Sequence, residues 1–321
     1  MIDEAEAAPV TREHKLYWWK EALIIAVFYL IYSFVRNQFG SALVDAGQEP
    51  VAAFDNAMRV IDVERLIGLY HEETIQGWFL PYSGFIQFWN TFYGTAHFIV
   101  TIAAFVWMYH ARRDIFPRWR NALALTTALA LIGFATFSLM PPRLLNDDGV
   151  YGGDRIAEEQ GRGDFGFVDT LAEYGGPWSF DSGAMQQVSN QYAAMPSLHI
   201  AWSTWCLLVM WRLTRRRWVR ALLILYPLAT LFCIVVTANH YWLDGAGGLV
   251  ALGAGLLVGH LIFEWNQRRL ERRYGPIPAA APGAEPGPDV SAGPIDATTG
   301  DDRSGGAGAV DAPALDTQNE W

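Results

Sequence analysis

Two histidines and one aspartate are the residues of this chain whose types and spacing best suit covalent chemistry. His240 and Asp244 lie four positions apart, so their side chains share one face of a helix. A carboxylate beside an imidazole fixes its tautomer, raises its basicity and stabilises the cation that follows attack. His199 lies two apolar crossings earlier, which return the chain to the level of His240. One histidine as nucleophile and the other as general acid suits phosphoryl transfer; the alternative is a pair that only ties helices together.

The residues around these histidines suit an anionic substrate. Pro196 and Ser197 lie near the predicted start of one helix, and Asn239 is placed to cap the next. Both helix N-termini would then offer unpaired backbone N–H groups to an anion, and Ser197 would add a hydroxyl. Arg143, held by two prolines, offers a planar fork for phosphate oxygens, or else it anchors a helix end at lipid headgroups. Tyr192 completes the predicted substrate-binding set of Arg143, Ser197, Asn239 and Tyr192.

The composition places these residues in a membrane protein. Of the 321 residues, 52% are hydrophobic and only 17% are charged, against roughly a quarter charged in soluble proteins. Apolar stretches of about 18 or more residues are typical of transmembrane helices. We therefore predict an all-α polytopic membrane protein with six transmembrane helices, near 17–36, 85–109, 121–140, 197–214, 218–237 and 240–264.

The arginines orient these six helices. Basic clusters precede the first helix and follow the second, fourth and sixth: Arg12, Lys15 and Lys20; Arg112, Arg113, Arg118 and Arg120; Arg212, Arg215, Arg216, Arg217 and Arg220; Arg268, Arg269, Arg272 and Arg273. The positive-inside rule makes their side cytoplasmic. Both termini are then inside, while the loop 141–196 and the catalytic site lie at the outer membrane face. The abundance of Ala, Gly and Arg is typical of a GC-rich bacterial genome, so we expect a bacterial plasma membrane protein.

Two segments outside the predicted spans have readable patterns. From 54 to 78, apolar residues recur at helical spacing among charged ones, which predicts an amphipathic helix in the outer interface or a helix packed on the outer loop. The tail from about 275 is rich in Ala, Gly, Pro and Asp and should be disordered. We therefore predict a membrane domain over 1–265, followed over 266–321 by a basic stub and a disordered acidic tail.

The charge and the cysteine content indicate the surroundings of the chain and the state of its thiols. The net charge of −10 comes largely from the outer loop and the tail, and we expect a lipid bilayer and no nucleic acid as the surroundings of this chain. Cys206 and Cys233 fall inside predicted spans and read as buried thiols without a disulfide framework.

Two segments carry a resemblance to a known family. Ala193–His199, with the sequence AAMPSLH, and Asn239–Asp244, with the sequence NHYWLD, resemble the second and third signature motifs of the type 2 phosphatidic acid phosphatase superfamily. They are more narrowly similar to its inositol phosphorylceramide synthase-like (inositolphosphotransferase) branch. The resemblance implies that His240 attacks phosphorus to give a phosphohistidine, that Asp244 assists, and that His199 protonates the leaving group. It also implies that no metal or other cofactor is needed.

The chain departs from the lipid phosphatases of that superfamily in informative ways. Thr136 stands where their first motif has a lysine, Leu198 where the second has a glycine, and Ile234 where the third has an arginine. The pocket thus loses two of three cations, which suits a singly charged phosphodiester better than a phosphomonoester. The count would change if Arg155 or Arg162 folded back from the outer loop.

Several functions stay open on the sequence alone. The leading hypothesis is an enzyme that moves a phospho-headgroup from a phospholipid donor to an alcohol acceptor. With water as acceptor, it would be a lipid phosphatase acting on phosphatidic acid or a polyprenyl diphosphate. A six-span transporter or scaffold is the alternative of another class, and a metal site at His199, His240 and Asp244 is a further one. The sequence leaves the donor, the acceptor and the oligomeric state open.

Overall fold

The computed structural model describes residues 16–38, 50–175 and 190–274. Within these residues the secondary structure is helical, apart from one isolated β-bridge between Leu139 and Ala193. The helices are α1 Trp18–Asn37, α2 Val51–Leu66, α3 Glu72–Phe79, α4 Ser83–Ala111, α5 Phe116–Thr136, α6 Asp154–Glu159, α7 Thr170–Glu173, α8 Leu198–Leu213, α9 Arg217–Val236 and α10 Trp242–Tyr274, with a 3-10 turn at Pro142–Leu144. The chain divides into Met1–Ile277 and Pro278–Trp321. The second unit, and with it most of the predicted disordered tail, lies outside the described residues.

Four helices are long and apolar enough to cross a membrane. They are Trp18–Arg36 in α1, Ser83–Ala111 in α4, Arg217–Val236 in α9 and Trp242–Arg273 in α10. The stretches predicted at 121–140 and 197–214 form α5 and α8, which are not among these four, because α5 with 21 residues is not apolar enough and α8 has only 16 residues. At 1.5 Å per residue the 16-residue α8 is about 24 Å long, somewhat short of a hydrocarbon core of about 30 Å. The six-span arrangement therefore stays a prediction.

Helix α8 packs on four neighbours, namely α4, α5, α9 and α10, and α10 packs along α5. Trp205 of α8 is fully buried, and its Nε1 donates to the carbonyl of Trp119 at 3.1 Å. The predicted burial of Cys206 and Cys233 is confirmed, and both thiols are free. Gly248 lets α10 approach the start of α8, because a Cβ there would lie 2.3 Å from the carbonyl oxygen of Ser197. The loop before α8 is thus held directly against α10.

The segment 54–78 forms two helices, so the prediction of one continuous helix was wrong. The break follows α2 at Gly68, whose φ of +72° is a conformation that favours glycine. One face of α2, including the fully buried Phe54 and Ile61, packs against the segment between α5 and α8, around Met140 and Phe167. The described part of this segment is called the outer segment below, after its predicted position. Packing on the outer loop, the second of the two interpretations, therefore describes this face. A position in the membrane interface stays a prediction.

Buried side-chain amides attach the outer segment to the helices. Gln76 of α3 donates to the carbonyl of Val168 at 2.9 Å and accepts from its N–H at 3.0 Å. Asn90 of α4 donates to the carbonyl of Thr170 at 2.7 Å and accepts from its hydroxyl at 3.0 Å. These paired hydrogen bonds hold residues 168–170 beside the turn between α9 and α10, because the Thr170 hydroxyl also lies 3.3 Å from the carbonyl of Thr237.

Contacts among the basic clusters show that several of them share one end of the helix bundle. Arg118 near the start of α5 lies 3.2 Å from His260 and 5.7 Å from the ring centre of Phe263, both in the second half of α10. Arg120 forms an ion pair with Glu21 near the start of α1. The starts of α1 and α5 therefore lie together, as the arginine distribution predicts, and the second half of α10 lies beside them.

Candidate active site

The imidazole of His240 and the carboxylate of Asp244 are in contact in the structure, as their spacing predicts. His240 Nδ1 lies 3.2 Å from Asp244 Oδ2, and the N–H of Tyr241 donates to the same oxygen at 3.0 Å. A carboxylate only accepts, so Nδ1 is the donor, and in the neutral imidazole the lone pair is then on Nε2. His240 Nε2 is buried and has no hydrogen-bond partner in the described part of the chain. The pair therefore presents an in-plane nucleophilic nitrogen whose tautomer is fixed from the opposite edge.

The start of α10 follows a tight turn that fixes this pair. Ala238 has a φ of +51°, and the N–H groups of Asn239 and His240 both donate to the carbonyl of Ile234, at 3.0 and 3.1 Å. Left-handed backbone at a residue other than glycine costs about 1 kcal/mol or more and occurs mostly where the surroundings enforce it. Here the carbonyl of Ala238 accepts from the N–H of Arg143 at 2.8 Å. The turn thereby joins the candidate cation to the candidate nucleophile.

His199 lies in the first turn of α8 and faces His240, so the structure brings together the two predicted histidines. Their ring centres are 5.6 Å apart, with 64° between the ring planes. Tyr93 stacks on His199 at 4.3 Å, and His97 meets the His199 ring nearly edge-on at 4.4 Å. His97 Nδ1 is fixed by the carbonyl of Tyr93 at 3.0 Å. The ring of His199 is therefore clamped by two aromatic neighbours on α4.

Arg143 is buried, and all three nitrogen groups of its guanidinium have partners. Its Nε donates to Asn239 Oδ1 at 3.1 Å, Nη1 forms an ion pair with Asp169, and Nη2 donates to Gln191 Oε1. Asp169 is also the N-cap of α7, where Oδ1 accepts from Leu171 and Ala172. An anion that binds Arg143 must therefore share the guanidinium with a carboxylate already in place.

Asn239 has a different role from the predicted helix cap. Its amide donates to the hydroxyl of Thr237 at 2.8 Å, and its oxygen accepts from Arg143. The N–H groups at the start of α10 are bonded instead to carboxylates, since Trp242 donates to Glu72 at 3.3 Å and Leu243 donates to Glu64 at 2.8 Å. The expectation of an open anion site at this helix start was wrong, because two acids from α2 and α3 occupy it.

Ser197 and Tyr192 differ in how they relate to the histidines. Ser197 precedes α8, its N–H donates to the carbonyl of Asp244 at 2.9 Å, and its Oγ is buried without a hydrogen-bond partner in the described residues. It therefore adds an unused hydroxyl at the start of the helix that carries His199. Tyr192 is also buried, but its hydroxyl donates to the carbonyl of Tyr151 at 3.0 Å. Tyr192 thus supports the outer segment.

A second cation, outside the sequence motifs, lies close to the site. Arg36, at the end of α1, is near enough for its positive charge to act on Tyr93, His97 and His199. Its carbonyl accepts from Asn190 at 3.0 Å, which ties the end of α1 to the chain leading into α8. Arg155 and Arg162, whose return from the outer loop would have changed the charge count, are both exposed. The described residues contain no group of three His, Cys, Asp or Glu side chains that could hold a metal ion.

The residues around the two histidines that the sequence motifs did not indicate are of two kinds. Tyr93 and His97 are four apart on α4, so the spacing that singled out His240 and Asp244 would also have singled out this pair. Glu64, Glu72 and Asp169 carry no such local signal, because their partners lie far along the chain.

Four helices long and apolar enough to span a membrane are typical of an integral membrane protein, and in this one two histidines face each other at neighbouring helix starts. The sequence pattern of the PAP2 superfamily matches residues 58–258, more than half of the chain, and the chain belongs to this superfamily. Its members are phosphatases and phosphotransferases, so the protein is a membrane enzyme of that type. No curated protein and no solved structure matches the chain.

Proposed function

We propose that this enzyme cleaves a lipid phosphodiester through a phosphohistidine and transfers the phospho-headgroup to an alcohol. The observation that carries the proposal is the orientation of His240. Its Nδ1 is bound to Asp244, and its buried Nε2, beside the ring of His199, has no hydrogen-bond partner among the residues that the structure describes. Such a nitrogen is a nucleophile held ready by its carboxylate.

The reaction then follows in two balanced steps. In the first, His240 Nε2 forms a bond to phosphorus while the bond from phosphorus to the glycerol oxygen breaks, and His199 gives its proton to the departing diacylglycerol. In the second, the acceptor hydroxyl gives its proton to His199 and its oxygen bonds to phosphorus, which releases His240. General acid and base roles for one histidine in two half-reactions satisfy microscopic reversibility.

The charges around Arg143 support a diester as the substrate. Asp169 already offsets one positive charge of the pocket, and the lysine and arginine of the lipid phosphatases are replaced by Thr136 and Ile234. A phosphodiester carries one negative charge, whereas a phosphomonoester approaches two at neutral pH. A pocket with reduced positive charge therefore favours the diester, such as a phosphoinositol-like phospholipid of the inositolphosphotransferase branch.

The proposal includes six membrane crossings. Helices α5 and α8 cross in addition to the four helices that are long and apolar enough by themselves. Support comes from the packing of α8 among four other helices and from the basic cluster at one end of the bundle. The histidines lie at the starts of α8 and α10, whereas the last arginine cluster lies in the final two turns of α10, at the opposite end of that helix. With the arginines cytoplasmic, the site faces outward and both termini face the cytoplasm of a bacterial cell.

The test offers phosphatidylinositol and phosphatidic acid in mixed micelles to the purified protein, with and without alcohol acceptors. We expect a new phosphodiester product with little free phosphate. His240→Asn should abolish turnover, and His199→Asn should do so too, whereas His110→Asn, at an exposed histidine at the end of α4, is the matched control. Acid-labile label on the protein from labelled donor, absent in His240→Asn, would show the phosphohistidine.

The outcomes separate the alternatives. Free phosphate from phosphatidic acid as the main product would make the enzyme a phosphatase and refute the transfer step. Full activity of His240→Asn would refute the nucleophile assignment whatever the substrate.

A further inference from the structure

Three consecutive N–H groups at the start of α10 each donate to a different carboxyl group. Tyr241 donates to Asp244 at 3.0 Å, Trp242 to Glu72 at 3.3 Å and Leu243 to Glu64 at 2.8 Å. N–H groups at a helix start have no partner within the helix, so these three acids supply the missing acceptors. The turn that carries His240 is thereby fixed from three sides.

The three carboxyl groups cannot all be ionised. Glu64, Glu72 and Asp244 are each fully buried, and in the described part of the chain neither glutamate forms an ion pair with a lysine or arginine. Buried like charges at contact distance disfavour full ionisation, so at least one proton is retained. Burial, followed by the neighbouring Glu72, raises the pKa of Glu64 to about 9.

The proton has an evident position on Glu64. Its Oε1 accepts from Leu243, while its Oε2 is buried and has no N–H or O–H donor in the described residues, and the carboxyl group of Glu72 is the side chain within hydrogen-bond reach of Glu64. The ionisable groups that face the pair are Asp244 of α10, Tyr241 of the preceding turn and Tyr70 between α2 and α3. None of these is a cation, so nothing in this set would stabilise an ionised Glu64.

We infer that Glu64 and Glu72 form a proton-sharing pair that positions the turn of His240 and Asp244, and that turnover requires the shared proton. This inference rests on the proposed role of His240, and it assigns the glutamates as positioning residues without contact with the substrate. With the proton in place, Leu243 and Trp242 keep their acceptors without repulsion between the acids. Loss of the proton adds a negative charge beside Glu72 and Asp244, which pushes α2 and α3 away from the start of α10.

The direction of the pH effect follows from the raised pKa. Glu64 is neutral below about pH 9 and ionises as the pH rises through that value. Activity that depends on the pair is therefore present at neutral pH and is lost on the alkaline side. The unfolded chain releases this proton near the ordinary pKa of a glutamate, so the stability contributed by the neutral form also falls as the pH rises from acid to alkaline.

The decisive variant is Glu64→Gln, which keeps an oxygen to accept from Leu243, adds an amide donor and cannot ionise. We measure kcat and KM between pH 6 and pH 10 for the wild type and for Glu64→Gln. The wild type should lose kcat through about pH 9, whereas the variant should retain it. Glu64→Ala, which removes the acceptor of Leu243, should lower kcat about tenfold at neutral pH with little change in KM.

Glu73→Gln is the matched control, because Glu73 adjoins Glu72 but faces Gly166 instead of α10. The alkaline side of the pH profile of kcat for Glu73→Gln should coincide with that of the wild type. Identical alkaline limbs for the wild type and Glu64→Gln would overturn the inference. If Glu64→Ala fails to fold, the comparison with Glu64→Gln still decides. An active His240→Asn would instead overturn the proposed function, so the two failures are distinguishable.

Discussion

The ion pair between Arg143 and Asp169 gives a direct way to test why the pocket should prefer a diester. The perturbation is Asp169→Asn, which removes the negative charge beside the guanidinium. Asparagine is a good N-cap, and its side-chain oxygen can still accept from Leu171 and Ala172, which donate to Asp169 at 3.0 and 3.3 Å. The change therefore alters charge while keeping the start of α7.

The size of the expected change in substrate preference follows from the charges on the two sides of the Arg143 guanidinium. A phosphate on Arg143 would lie roughly 6.5 Å from the carboxylate, where two unit charges interact by about 2.5 kcal/mol at an effective dielectric constant of about 20. A phosphomonoester carries about one more negative charge than a diester at neutral pH. Removing Asp169 should therefore favour the monoester by somewhat less than a hundredfold, since about 1.36 kcal/mol corresponds to tenfold.

The assay is the ratio of kcat/KM for short-chain phosphatidic acid to that for short-chain phosphatidylinositol, at one ionic strength. We expect this ratio to rise in Asp169→Asn relative to the wild type. Asp148→Asn removes a charge at an exposed position of the same outer segment, and it should leave the ratio unchanged. An unchanged ratio in a folded Asp169→Asn protein would refute the reasoning from charge.

Three further changes test the packing and charge around the site. Gly248→Ala should lower the melting temperature and activity in detergent, because its Cβ would lie 2.3 Å from the Ser197 carbonyl, whereas Gly253→Ala, with no atom within 4 Å, should not. Gln76→Leu should cost about 2 kcal/mol by leaving two backbone groups of the half-buried Val168 unpaired, seen as faster proteolysis of the outer segment. Arg36→Gln should lower kcat/KM about tenfold by removing a cation near the phosphate, with partial rescue in Arg36→Lys.

The sequence predicted those parts of the site that depend on local spacing. His240 and Asp244 are one helical turn apart, and their contact at 3.2 Å needs little beyond the start of α10. The return of the chain through α8 and α9 brings His199 to within 5.6 Å of the His240 ring centre. Helix periodicity and two consecutive helices of similar length are sufficient for both results, so both could be predicted without a structure.

The acids that hold the site could not be predicted in this way. Glu64 and Glu72 read as the polar face of an amphipathic segment, and in isolation a solvated face is the ordinary interpretation. They become buried only because α2 and α3 fold over the start of α10, where Leu243 and Trp242 need acceptors. This requirement comes from a helix end more than 160 positions along the chain, and no local pattern encodes it.

Counting cations within signature motifs is therefore an incomplete measure of the charge of this site. The motif positions supply one arginine, Arg143, but Asp169 offsets it from the outer segment and Arg36 adds a charge from α1. The balance that a phosphate meets is set by these residues from outside the motifs, together with the proton retained by Glu64 and Glu72. The geometry of His240 supports the nucleophile, whereas this balance supports the diester. The nucleophile assignment and the diester preference are thus supported by separate observations, and the variants at His240 and Asp169 test them separately.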